Sequence, residues 1–147
     1  NDITPFEAII LGSDQGRNIY KKQLFALVEQ YRLSKIIKFI EHCEEMPIAY
    51  GIANLVCSCS SEPEAFGRVS VEAQSMQIPI IASDIGGSKE TIIKDQSGEV
   101  FDETVVNLAT AIKNCLNPES NRNYSNNIYK SKRKYSWSRF VKEINIS

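Results

Sequence analysis

A chain of 147 residues, 42% hydrophobic and 24% charged, has the size and mixture of one ordinary soluble globular domain. Its formal net charge of −1 argues against polyanion binding as the main business of the fold, and so against a nucleic-acid partner. No apolar run approaches the roughly 18–20 residues that cross a bilayer, and NDITPFEAII has neither a basic n-region nor a long apolar h-region, so the chain reads as neither spanning nor exported.

The four cysteines, Cys43, Cys57, Cys59 and Cys115, form no C-x-x-C pair, and His42 is the one histidine available to complete a metal set. No metal site is therefore expected. Cys57 and Cys59 lie two apart in LVCSCS, where on a strand they share one face and do not easily bridge each other; buried free thiols in a reducing cytosol are the expectation. The chain opens on Asn1, without an initiator methionine and directly before a core-like strand, which predicts a piece of a longer protein.

In chain order, short apolar runs alternate with helical patterns. Strands are predicted at EAIIL (7–11), IIKFI (36–40), NLVCS (54–58), PIIAS (79–83) and EVF (99–101). Between them, 18–31 places Ile19, Leu24, Leu27, Val28 and Tyr31 on one helical face. The stretches 68–76 and 105–116 repeat that spacing with Val69, Ala73 and Met76, then Leu108, Ala109, Ile112 and Leu116. Continuous apolar strands alternating with helices predict an α/β fold, a parallel Rossmann-like sheet with helices on both faces. Ligands of such sheets bind outside the carboxyl ends of the strands, which directs attention to the loops after Leu11, Ile40, Ser58 and Ser83.

From Pro118 onward the chain turns polar and helical, with Tyr124, Ile128, Tyr135, Trp137, Phe140, Val141 and Ile144 as its apolar positions. A helical tail over 118–147, packed on the edge of the sheet, is predicted. The basic cluster Lys130, Lys132, Arg133 and Lys134 reads first as a solvated helix face, with contact to anionic lipid or nucleic acid as the alternative.

The loop with the richest chemistry follows the third strand, SSEPEAFGRVSVEAQSM. A helix starting near Gly67 puts Glu64 just ahead of it and Glu72 about one and a half turns inside, with its side chain leaning back toward the N-terminus. The backbone N–H groups at Phe66 and Gly67 open at the same end, where the helix dipole favours an anion such as phosphate. Two carboxylates repel a phosphate unless they are aimed at neutral donors, so the pair implies a ligand carrying hydroxyls as well. Taken singly, Glu64 also reads as a helix-start carboxylate and Glu72 as a solvated surface residue.

The region from Glu62 to Ile92, EPEAFGRVSVEAQSMQIPIIASDIGGSKETI, resembles the C-terminal lobe of family 4 glycosyltransferases of the GT-B fold, with their E-x7-E motif at Glu64 and Glu72. The pattern E-P-x-x-F-G-x-x-x-x-E-A, then P-V-I-A-S, then G-G and E-T-[IV], runs through it. Upstream, AIILGSDQGR resembles the family's strand ending in a glycine turn. KIIKFIEHCEEMPIAYGIANLVCSCS resembles its V-x-F-x-G segment followed by M-P-x-x-Y-x-x-A-D. Downstream, YSWSRF resembles the Trp-bearing helix that crosses back to the other lobe, so the likeness covers nearly the whole chain.

The resemblance implies a single donor-binding domain over 1–147, with the N-terminal acceptor lobe and first β/α unit belonging to a longer parent. It implies that Glu72 binds ribose hydroxyls and Glu64 hydroxyls of the transferred sugar, making Glu64 the catalytic candidate with an orienting role. The Ala65, Phe66 and Gly67 backbone would meet sugar and phosphates, Ile40 to His42 would border the base, and Gly12 and Ser13 would lie near the nucleotide end. Gly86 and Gly87 serve equally as a structural turn. The implied ligand is a nucleotide diphosphate sugar, with no cofactor and no metal, and the implied reaction is retaining sugar transfer to an acceptor hydroxyl. A cytoplasmic setting follows, compatible with the inner membrane face and peripheral contact there, where relatives build cell-envelope glycans.

The chain departs from the pattern at Gln77 and Ile78, one of which stands where the family has glycine before Pro79, at Glu41, and at Asn54 in place of aspartate. The change near 77 is expected to affect how the helix ends. The family's R-x-x-x-x-K-G segment, whose basic pair meets the diphosphate, is not in this sequence, and neither Arg68 nor Lys89 is assigned that role. The rival from another class is a nucleotide- or sugar-binding module without catalysis. A dinucleotide oxidoreductase is disfavoured because LGSDQGR lacks the G-x-G-x-x-G spacing.

Overall fold

The computed structural model describes residues 6–14, 16–63, 65–93, 96–102 and 104–130. They fall into two compact units, meeting in sequence between Met46 and Pro47.

The first unit is a β-α-β motif. Strand β1 (Ala8–Leu11), helix α1 (Asn18–Gln30) and strand β2 (Ile37–Ile40) follow one another, and β1 pairs with β2 in parallel from Ala8↔Ile37 to Leu11↔Ile40. Gly12, beyond β1, donates its N–H to the Ile40 carbonyl at 3.0 Å and so carries the pairing to the strands' ends. The rings of Phe25 on α1 and Phe39 on β2 lie 4.3 Å apart and lock helix to sheet. Val28 is buried, but Ile19, Leu27 and Tyr31 are exposed, so the expected apolar face of α1 is covered only in part.

The second unit holds a three-stranded parallel sheet in the order β3-β4-β5, formed by Val56–Ser58, Ile80–Ser83 and Gly98–Phe101. Around it lie α2 (Met46–Gly51), which begins at the boundary, α3 (Arg68–Ser75), α4 (Ser88–Thr91), α5 (Val105–Leu116) and α6 (Pro118–Lys130). Every residue of β4 is buried, the signature of a central parallel strand covered on both faces. Ile81 packs with Phe101, Ala111, Cys115 and Tyr124 in one cluster under α5 and α6. Ile80 and Ala82 alternate to the opposite face of the strand, and both are buried. The α/β class, the parallel pairing and the Rossmann-like arrangement are as the sequence predicts.

Local chemistry explains the element ends. Thr104 caps α5 by accepting from the Asn107 N–H, and Asp102 accepts from the side chains of both residues, which hold its carboxyl below the usual range. Asn117 caps α6 by accepting from the Glu119 and Ser120 N–H groups, with Pro118 in the first helical position. The predicted apolar positions Tyr124 and Ile128 of α6 are buried. The remaining positions of the predicted tail, Tyr135, Trp137, Phe140, Val141 and Ile144, together with Lys132, Arg133 and Lys134, lie outside the described residues.

The cysteines are free, but the expectation that they are buried holds for Cys115 alone: Cys43 is half-buried, and Cys57 and Cys59 are exposed. β3 is an edge strand of its sheet, so it is not covered as β4 is.

Candidate donor site at the start of α3

The carboxyl end of β3 leads through a polar loop to α3. Ser83, at the end of β4, donates to the Ser60 carbonyl at 2.8 Å, and Ser60 donates in turn to the Glu62 carbonyl at 2.8 Å. These bonds tie the loop to the sheet edge. Gly67 then turns into the helix with φ +74°, the left-handed conformation for which glycine is suited, and it offers no side-chain cap. α3 has no acidic residue in its first turn, so its leading N–H groups and dipole are not matched by a carboxylate within that turn.

Glu72 is 8% exposed, which removes the solvated-surface alternative. The Tyr50 hydroxyl on α2 donates to its Oε2 at 2.7 Å, a charge-assisted bond between two buried side chains. Arg68, one helical turn earlier, stands 3.6 Å from its Oε1 and is itself mostly exposed. The carboxylate is thus held at one oxygen by Tyr50 and faces the Arg68 guanidinium with the other. Tyr50 entered the sequence reading only as the last residue of M-P-x-x-Y, and its bond to Glu72 depends on α2, six residues long, which periodicity does not detect.

Gly87 is structural in a specific way. A Cβ there would stand 2.5 Å from the Ala65 carbonyl oxygen and 3.0 Å from the Phe66 Cα, while one on Gly67 would stand 2.6 Å from the Ser88 Cα. The turn after β4 therefore packs backbone to backbone against the 65–67 loop, and both glycines are required for that approach. Ala65 and Phe66 remain exposed, and Gly67 is buried.

The second unit thus brings Ala65, Phe66, Gly67 and Glu72 together at the start of α3. Glu64 lies outside the described residues. Gly12 and Ile40 are neighbours at the carboxyl ends of β1 and β2 in the first unit, where Ile40 is exposed. Lys89 is paired with Asp84 at 3.3 Å. Among the described residues no three His, Cys, Asp or Glu side chains gather as a metal-ligating group. No helix among them is long and apolar enough to cross a membrane.

Parallel strands covered by helices are the architecture shared with GT-B glycosyltransferases. The profile of the family described as Glycosyl transferases group 1 matches residues 2–134, and the chain belongs to that family. A D-inositol 3-phosphate glycosyltransferase of Corynebacterium urealyticum is 31% identical over 101 residues, 67% of this chain and 24% of that protein. The structure of Anabaena HepE with UDP-glucose superposes with a TM-score of 0.83 at 25% identity, covering 94% of this chain and 39% of HepE. The C-terminal domain of the group 1 glycosyl transferase LpcC from Francisella tularensis gives a TM-score of 0.79 at 25% identity, covering 89% of this chain and 70% of that domain. The chain spans about a quarter of the length of the curated relative, 24%.

Proposed function

We propose that this chain is the donor-binding lobe of a retaining, metal-independent glycosyltransferase, which moves a sugar from a nucleotide diphosphate sugar to an acceptor hydroxyl. The observation that carries the reading is the buried Glu72 carboxylate, held by Tyr50 on a helix that has no acidic residue in its first turn. A carboxylate oriented by one hydrogen bond keeps lone pairs for ligand hydroxyls, here those of ribose. The uncapped helix start and the Ala65–Gly67 backbone take the diphosphate and sugar.

Glu64 orients the transferred sugar through its hydroxyls. It is the catalytic candidate, acting by positioning the anomeric carbon rather than by attacking it. Gly12 and Ile40 border the nucleotide. The complex of HepE with UDP-glucose supports a nucleotide diphosphate sugar as the ligand class. The acceptor is bound by a further lobe of the parent enzyme, and the basic pair that stabilises the departing diphosphate comes from the R-x-x-x-x-K-G segment that in this family precedes the strand corresponding to β1. The work is done in the cytoplasm, at the inner membrane face if the acceptor is a cell-envelope glycan.

In the full-length enzyme, Glu64→Gln is expected to weaken donor binding and lower kcat/KM by at least about tenfold, since a charge-assisted hydrogen bond contributes roughly 1.5–3 kcal/mol. Wild-type turnover with unchanged donor affinity would remove Glu64 from the site.

A further inference from the structure

The carboxyl ends of β1 and β2, which border the nucleotide on the proposed reading, hold an ion pair that the family pattern lacks. Glu41 follows β2 directly and stands where V-x-F-x-G has its glycine. The Lys21 ammonium on α1 donates to its Oε1. Lys21 is half-buried and anchors the pair to the helix, while the Glu41 side chain is 71% exposed. A carboxylate has about four acceptor sites, so Glu41 keeps room for further donors on both oxygens. Beside it, Gly12 donates its N–H to the Ile40 carbonyl at 3.0 Å. No atom lies within 4 Å of the place a Gly12 side chain would take, so a flat ring can lie on that backbone with its edge toward Glu41.

We propose that Glu41 reads the base of the donor and that the base is guanine; this rests on the donor-lobe reading, which sets the loop after β2 against the base. Because the ammonium bonds Oε1, the pair presents in order one donor, Lys21 Nζ, and two acceptors, Glu41 Oε1 and Oε2. The Watson–Crick edge of guanine has the complementary order, the O6 acceptor and then the N1–H and N2–H donors. Both bonds to the carboxylate are charge-assisted.

The other bases meet the same groups badly. Uracil carries the O2 acceptor where guanine has its amino group, and cytosine and adenine carry an unprotonated ring nitrogen where guanine has N1–H. Each sets a lone pair against the Glu41 carboxylate, and such a mismatch discriminates more strongly than a missing contact. A glycine at this position has no side chain with which to make that distinction.

The test is isothermal titration of the full-length protein with GDP, UDP, ADP, CDP, inosine diphosphate and inorganic diphosphate. GDP is expected to bind about tenfold or more tightly than UDP, ADP and CDP. It is also expected to bind about tenfold more tightly than inosine diphosphate, which lacks only the N2 amino group. Glu41→Gln, a conservative change at an exposed side chain, is expected to cut that last ratio to about threefold, since a neutral acceptor replaces a charged one.

UDP, ADP or CDP binding as tightly as GDP overturns the guanine assignment and leaves the donor-lobe reading standing. A ratio of GDP to inosine diphosphate that Glu41→Gln does not change overturns the role of Glu41, again with that reading intact. If no nucleotide binds more tightly than inorganic diphosphate, both fall together.

Discussion

A single hydrogen bond from Tyr50 orients the buried Glu72 carboxylate, which on the proposed reading serves as a recognition group. Buried carboxylates are costly unless paired, and Glu72 has a hydroxyl donor at 2.7 Å on one oxygen and a guanidinium at 3.6 Å from the other. Tyr50→Phe keeps the ring that is buried on α2 and removes only the donor. It is expected to destabilise the chain by about 1–3 kcal/mol, because the carboxylate loses its buried partner. In the full-length enzyme the same variant is expected to raise KM for the donor more than it lowers kcat, since ribose contacts serve ground state and transition state alike. Denaturation curves and donor-titrated kinetics check the two halves separately; an unchanged KM would confine Tyr50 to stability.

Glu72 was legible in the sequence because its spacing from Glu64 and its place after a strand imply a shared ligand. Tyr50 was not, because it lies 22 positions before Glu72 and only tertiary packing brings the two together. The role of Gly87 was hidden for the same reason. Its need for hydrogen in place of a side chain comes from Ala65 and Phe66, which approach it from a different loop.

At the scale of elements, the strands and the four longer helices α1, α3, α5 and α6 follow directly from apolar periodicity. α2 and α4 escaped, since helices of six and four residues are too short to repeat a face. The ends of α1 and α3 carry a shared feature. After α3 the Gln77 N–H donates to the Gln74 carbonyl and the Ile78 N–H to the Ala73 carbonyl, both at 3.0 Å, and after α1 Arg32 and Leu33 do the same toward Glu29 and Val28. These are Schellman endings with φ of 65° at Gln77 and 55° at Arg32, where glycine is the favoured residue.

The departure from the family pattern near 77 therefore lies at the helix-terminating position, as expected, and Gln77 is the residue that occupies it. Gln77→Gly is expected to stabilise the chain by about 0.5–1 kcal/mol, the relief of a left-handed side chain less the entropy glycine adds to the unfolded state. A rise in Tm of roughly 2–4 °C in a thermal melt would register it, and a fall would contradict the strain assigned to this position.

At the scale of the molecule, the division into a β-α-β unit and a three-stranded unit was not visible in the sequence. Both halves read as the same alternation of strand and helix, and no linker of distinct composition separates residues 46 and 47. The partial exposure of α1's apolar stripe was equally invisible, because periodicity reports which residues share a face and not what covers it. What the sequence did carry at this scale was the long pattern from Glu62 to Ile92, and the match of the family profile over 2–134 agrees with it.

The central claim is that this lobe recognises a nucleotide diphosphate sugar. Isothermal titration of the full-length protein with a panel of nucleotide diphosphates and their sugars, with inorganic diphosphate as the reference, tests it most directly. At least one nucleotide is predicted to bind about tenfold or more tightly than inorganic diphosphate, a gain of about 1.4 kcal/mol that ribose contacts to Glu72 can supply. Affinities no better than that of inorganic diphosphate across the whole panel would contradict the account.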